Sequence, residues 1–187
     1  MSSACDVRLL LISGSIRARS TNTAALRSAR ELLPTGCATL YEGLATLPAF
    51  DPDADHPPLP PSVAALRSEI AAADAVVFCT PEYAGTLPGS FKNLLDWTVG
   101  GAEMYDKPTT WINVAAPDRG TGADAALTAV LGYLGAAIMD TSGLRVPVPH
   151  QGIDPVGRIS DPETRERLAE AFGGIRAELR PTETRIR

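Results

Sequence analysis

Apolar residues in this chain fall into short unbroken runs. These are separated by longer stretches in which they recur every three or four positions. The run from Val7 to Ser13 is rich in Leu and Ile and ends at Gly14, as a buried strand does. A polar loop follows, and then an apolar-periodic stretch from about Asn22 to Leu33, stopped by Pro34, predicts a helix. Cys37 to Tyr41 is a weak second strand, and the Pro- and Asp-rich segment from Pro48 to Pro61 is a long loop. Ser62 can cap a helix that runs to about Ala72. Ala75 to Thr80 is again strand, and Pro88 to Val99 is helix with Pro near its first turn. Thr109 to Ala116 is strand, Gly122 to Ala137 an Ala-rich helix, and Leu144 to Val148 a last short strand. Asp161 caps a charged, amphipathic helix that reaches Leu179 and is halted by Pro181.

The order is β-α-β-α-β-α-β-α-β-α. The strands are apolar throughout rather than alternating, so both of their faces are covered. This is the pattern of a parallel sheet between two helical layers, joined by right-handed crossovers. Ligands in such sheets sit outside the carboxyl ends of the strands, where strand order reverses. Candidate chemistry is therefore sought after Ser13, after Thr80 and after Ala116.

The first loop, Gly14-Ser15-Ile16-Arg17-Ala18-Arg19-Ser20-Thr21-Asn22, is rich in hydroxyls and opens directly into a helix. Unpaired N–H groups and the dipole at a helix start attract phosphate. Ser15, Ser20 and Asn22 can add donors, and Arg17 can add charge. No Gly-Lys-Ser/Thr or Gly-x-Gly-x-x-Gly occurs here, which suits a terminal phosphate monoester better than a pyrophosphate. The same residues also suit an ordinary strand-to-helix turn with a hydroxyl cap. The second loop, from Thr80 to Asn93, holds two prolines and two glycines that fix its path. It could form a stiff wall for a flat aromatic ligand with Tyr83 stacked on it, or simply be a rigid turn with Tyr83 packed. The third loop is Pro117-Asp118-Arg119-Gly120-Thr121-Gly122. Its Gly-x-Gly-x-x-Ala spelling lies in a late unit and too far from its strand for a dinucleotide fingerprint.

Composition narrows the class. The 187 residues are enough for one domain, with a core of about 7–179 and a short C-terminal tail. A net charge of -5 argues against a general nucleic-acid binder. Cys5, Cys37 and Cys79 are odd in number and far apart, so neither a disulfide framework nor a structural zinc site is expected. Cys79 is expected to be a buried small hydrophobe. Asp51, Asp53 and Asp55 open like a calcium loop, but His56 stands where Gly is needed and Ser62 where Glu is needed, so no metal site is expected. His56 and His150 stand alone. The segment from Met1 to Asp6 lacks the basic stretch of a secretory signal, and the apolar run after it is too short to span a membrane. The expected setting is the cytoplasm, with no membrane partner.

Two motifs carry a resemblance. Gly-Ser-Ile-Arg-x-x-Ser-x-Asn at 14–22, together with Pro-Glu-Tyr-x-x-x-x-Pro-Gly-x-x-Lys-Asn-x-x-Asp-Trp at 81–97, resembles the NADPH-dependent FMN reductase family, which includes quinone, chromate and azo reductases. The similarity covers about Val7 to Ile175. It implies a flavodoxin-like α/β fold, a five-stranded parallel sheet of order 2-1-3-4-5 with helices on both faces, and a homodimer or homotetramer. It implies that Ser15, Arg17, Ser20, Thr21 and Asn22 hold the FMN phosphate. Pro81, Glu82, Tyr83, Ala84 and Gly85 would line the ribityl chain and the ring. Arg119, Gly120 and Gly122 would support the pyrimidine edge. Many members have Asn at the position of Ala84, Ser at that of Thr86, and Ser-x-Gly-x-x-Gly-Gly in the third loop, so polar contacts to the ring edge differ here.

The implied reaction passes hydride from NADPH or NADH to N5 of FMN and then to a quinone-, azo- or flavin-type small-molecule acceptor by a ping-pong scheme. The flavin carries the chemistry and no protein acid or base is strictly required. The helix start near Gly122, with Arg119, is expected to steady charge on the ring edge. An electron carrier without nicotinamide turnover is the alternative. The Pro48–Pro61 loop and the Trp97–Tyr105 stretch are expected to form a rim that packs on a neighbouring copy.

Overall fold

A computed structural model describes residues 5–180. Six strands form one parallel sheet: β1 (Leu9–Ser13), β2 (Ala38–Tyr41), β3 (Ala75–Cys79), β4 (Pro108–Asn113), β5 (Ala137–Ile138) and β6 (Leu144–Arg145). The strands lie in the order β2-β1-β3-β4-β5, with β6 also on β4. β1 is central, with Leu9 opposite Ala38 on one side and Ala75 on the other.

Five helices cover the sheet: α1 (Thr21–Leu32), α2 (Pro61–Ala72), α3 (Gly89–Asp96), α4 (Thr121–Tyr133) and α5 (Pro162–Leu179). Successive side chains of a strand point to opposite faces, so β1 feeds two cores. Leu9 and Leu11 pack with Leu26 of α1 and Phe172 of α5. Leu10 and Ile12 pack with Leu66 of α2, Phe91 of α3 and Leu127 of α4. Burying side chains of this size is worth about 1.5–3 kcal/mol each, which is why an unbroken apolar run is stable only as a doubly covered strand.

The architecture agrees with the expected one, with local differences that have physical causes. The fifth strand position is shared by β5 and β6, which meet β4 at Pro108–Thr109 and at Ile112–Asn113. The chain between them loops out. The Ala-rich helix stops at Tyr133 rather than Ala137, because Gly135 takes a left-handed φ of 67° and closes the end. The freed Ala137 then enters the sheet. Ser62 is not the cap of α2. Pro60 holds the cap position and Pro61 starts the helix, where a missing N–H costs nothing. Asp161 does cap α5, accepting from the Thr164 amide at 2.8 Å and the Thr164 hydroxyl at 2.6 Å. These two bonds hold the Asp161 carboxyl below its ordinary pKa of 3.8. Pro181, expected to halt α5, lies outside the described residues, as does most of the N-terminal segment before Asp6.

Cys5 and Cys37 form a disulfide, contrary to the expectation of none. They lie 32 residues apart in sequence, but each precedes one of two paired parallel strands, so the fold brings them side by side. Cys79 is buried as expected. The Asp-rich loop is also structural. Asp51 caps a single turn, and Asp55 is buried against Arg67, whose guanidinium donates to Asp55 Oδ1 at 2.5 Å and to the Trp97 carbonyl at 2.9 Å. Trp97 is fully buried and so cannot belong to the expected rim. Among the described residues no helix is long and apolar enough to cross a membrane.

Candidate flavin site

Strand order reverses between β1 and β3, and the loops that follow them part there. Gly14 makes the first turn possible. A Cβ at this position would lie 2.2 Å from Thr80 Oγ1 and 2.6 Å from Thr80 Cβ, so only glycine lets the two loops leave the sheet together. Ser13 Oγ pairs with Thr23 Oγ1 at 2.8 Å and ties the end of β1 to the first turn of α1.

The side chains of this loop share one feature. Ser15 Oγ accepts from the Arg17 amide at 3.3 Å. Ser20 Oγ caps α1, accepting from the Thr23 amide at 3.3 Å. Asn22 Oδ1 accepts from the Cys79 thiol at 3.3 Å. In each case the protein engages the acceptor and leaves the hydroxyl hydrogen or the amide NH2 to be donated. The first-turn amides of α1 also lack partners within the helix. A cluster that offers donors from a helix start fits an anion such as the phosphate of FMN.

The second loop carries a two-residue hairpin. Tyr83 and Thr86 exchange backbone hydrogen bonds of 2.9 and 3.1 Å, with Ala84 and Gly85 between them at φ of 51° and 76°. Two positive φ values in succession define a type I′ turn. Tyr83 is half exposed at the tip.

Glu82 links this loop to the third. Its Oε2 accepts from the amides of Gly122 and Ala123 at 2.7 and 3.1 Å, at the start of α4. A carboxylate is favoured there by the helix dipole. Gly122 permits the approach, since a Cβ would lie 2.1 Å from the Gly85 carbonyl oxygen. The Gly122 amide is therefore engaged by Glu82 within the protein. The rest of the third loop is held by Asp124, which accepts from Trp111 Nε1 at 3.0 Å and from Asn113 Nδ2 at 2.9 Å. Arg145 joins in, donating to Asp124 Oδ2 at 3.3 Å and to the Arg119 carbonyl at 2.8 Å.

Thr21, Asn22, Pro81, Glu82, Arg119 and Gly120 come together around one cleft of about 740 Å³. The other expected residues do not all reach it. Ser20 lines an adjoining cavity of about 450 Å³ with Arg19, against the segment from Ile153 to Gly157. Ser15 and Arg17 line a smaller one of about 210 Å³ toward the end of β2. Tyr83, Ala84 and Gly85 belong to the hairpin that follows Glu82 and do not line the cleft. His150 also lines the main cleft, although the sequence around it offers no motif that marks it. The rule that placed the other three loops could have found it, because His150 follows the last strand at the same edge of the sheet.

A parallel sheet of order β2-β1-β3-β4-β5, with its loops parting at the reversal point, defines a flavodoxin-like fold. The family model for NADPH-dependent FMN reductase matches residues 7–148, and the chain belongs to that family. It is thus an oxidoreductase with FMN as cofactor and NAD(P)H as electron donor. The chain is 30% identical over 178 residues to an NAD(P)H-dependent FMN reductase of Pseudomonas aeruginosa, covering 94% of this chain and 96% of that one. It is 28% identical over 178 residues to an NADPH:quinone oxidoreductase of Arabidopsis thaliana, covering 91% of each. Among solved structures, the flavoenzyme NAD(P)H:(acceptor) oxidoreductase FerB of Paracoccus denitrificans shares the fold. It superposes with a TM-score of 0.78 at 24% identity, over 92% of this chain and 97% of that one.

Proposed function

We propose that this protein reduces a quinone-type small molecule with electrons from NAD(P)H, holding the FMN phosphate on the loop from Ser15 to Asn22. When bound, FMN supplies hydride acceptance from the nicotinamide and hydride delivery to the acceptor. The residues of the chain bind and orient. Ser20, Thr21 and Asn22 offer donors to the phosphate, and Ser15 and Arg17 complete the loop from the β2 side. Pro81, Glu82 and the Tyr83–Gly85 hairpin wall the ribityl chain and ring. Arg119 and Gly120 face the pyrimidine edge, with Gly122 fixing the loop behind them. A quinone is favoured over azo and flavin acceptors because several similar proteins carry quinone reductase names.

We further propose that the chain works as one unit in the cytoplasm, where pyridine nucleotides are held, and as a homodimer or larger. A second copy accords with the apolar groove of about 630 Å³ between α3 and α4, at which Val99, Tyr105 and Tyr133 are exposed.

The observation that carries the reading is the donor pair Thr21 and Asn22 at the start of α1 on the wall of the cleft, with Ser20 on the adjoining cavity. Replacing Ser20 and Asn22 together by Ala tests it. Each loses a donor to a charged group, worth roughly 1.5–3 kcal/mol, so FMN affinity should fall on the order of a hundredfold or more. Riboflavin, which lacks the phosphate, should lose far less. Flavin-fluorescence titration of the apo protein gives both constants, and an equal loss for the two ligands would overturn the assignment.

A further inference from the structure

We propose that Cys79 is a positioning residue for the flavin phosphate: its buried thiol sets which end of the Asn22 carboxamide faces the cleft. This rests on the reading that the loop before α1 holds that phosphate. Cys79 is the last residue of β3, is fully buried, and lies in register with Ser13 of β1. The two strand ends meet the first turn of α1 through separate contacts, Ser13 to Thr23 and Cys79 to Asn22. Asn22 is itself only 5% exposed and lines the 740 Å³ cleft.

A carboxamide is nearly symmetric in shape, so packing alone does not choose between its two ends. The hydrogen-bond partner does. If Nδ2 faced inward, Oδ1 would point toward the anion and repel it. With Oδ1 turned to the thiol, both Nδ2 hydrogens remain for the phosphate. A thiol makes this choice only while it is protonated. Burial pushes the Cys79 thiol far above its ordinary range, so it remains an S–H donor. Its proton is directed at Oδ1, so the carbonyl end is the one paired within the protein. Seclusion of this thiol therefore serves binding rather than reactivity.

The test compares Cys79→Ala, Cys79→Ser and Asn22→Ala, singly and in the pair Cys79→Ala/Asn22→Ala. Apo protein is titrated with FMN and with riboflavin. Cys79→Ala should weaken FMN binding about three- to tenfold, the loss expected for one misdirected hydrogen bond, and change riboflavin binding less than about twofold. Cys79→Ser restores a donor and should return FMN affinity to within about twofold of the parent. In the Asn22→Ala background, Cys79→Ala should have no further effect on FMN, because the group it orients is gone. An equal loss for both ligands, a loss not repaired by Ser, or a full effect without Asn22 would each overturn the positioning role. If Asn22→Ala is selective for FMN while Cys79→Ala is not, this role alone falls. If Asn22→Ala weakens FMN and riboflavin alike, the phosphate assignment falls and this role with it. A purely structural loss in Cys79→Ala would move both ligands together, and Cys79→Ser, close in size, keeps the comparison usable if the Ala variant folds poorly.

Discussion

Asn93 of α3 grips Phe50 across 43 residues of sequence: its Oδ1 accepts from the Phe50 amide at 2.7 Å while its Nδ2 donates to the Pro48 carbonyl at 2.8 Å. Trp97, one turn on, donates from Nε1 to the same carbonyl at 2.9 Å and meets the Phe50 ring edge-on at 5.0 Å. Asn93 and Trp97 of the second motif therefore strap down the long Pro-rich loop rather than lining the cleft, while Lys92 and Asp96 pair with each other. Asn93→Ala removes two hydrogen bonds from a partly buried site and should cost about 2 kcal/mol of stability. Chemical denaturation measures it, and FMN affinity of the folded protein should stay within about twofold.

Glu82 joins the second loop to the start of α4, so its loss should loosen both walls of the cleft without touching the loop from Ser15 to Asn22. Glu82→Ala leaves two helix-start amides unpaired and should lower stability by about 1–2 kcal/mol. FMN and riboflavin affinities should fall by the same factor. This is the opposite of the selective loss expected for Ser20 and Asn22, and the ratio of the two dissociation constants distinguishes them.

Ala84 sits at φ 51° in the Tyr83–Thr86 hairpin, a conformation that an L-residue other than Asn or Gly adopts at a cost of roughly 1–2 kcal/mol. Ala84→Asn should therefore stabilise the protein, by about 1 kcal/mol. The checking measurement is a higher denaturation midpoint at unchanged slope.

Tyr133 is 95% exposed at the end of α4, beside Val99 and Tyr105. If this groove joins two copies, Tyr133→Asp should shift the protein toward monomer by placing a charge in an apolar contact. Light scattering at micromolar concentration reads the result, and a parent protein that is already monomeric would refute the proposed assembly.

Much of the fold was legible because the determinants are local. The uninterrupted apolar runs of β1 and β3 demand cover on both faces, and Ser20 and Asp161 announce the helices they cap. The glycine that ends α4 was present in the sequence at Gly135, yet an Ala-rich stretch around it gave no periodic signal to locate the boundary. The three loops after the strands were legible from the β-α alternation, and the same rule extends to His150.

What the sequence by itself determined is thus most of the elements, though not β5, with their alternation and the chemistry available in each loop. These follow from side-chain volume, polarity and capping over a few consecutive residues. Only the tertiary structure decided which groups meet: Cys5 with Cys37, Asn93 with Phe50, Glu82 with Gly122, Cys79 with Asn22. Each pair is 32 to 57 residues apart. Their contact depends on strand order and parallel register, which place successive strand ends side by side. No local pattern encodes that adjacency, because it arises from the cooperative packing of two cores against one sheet.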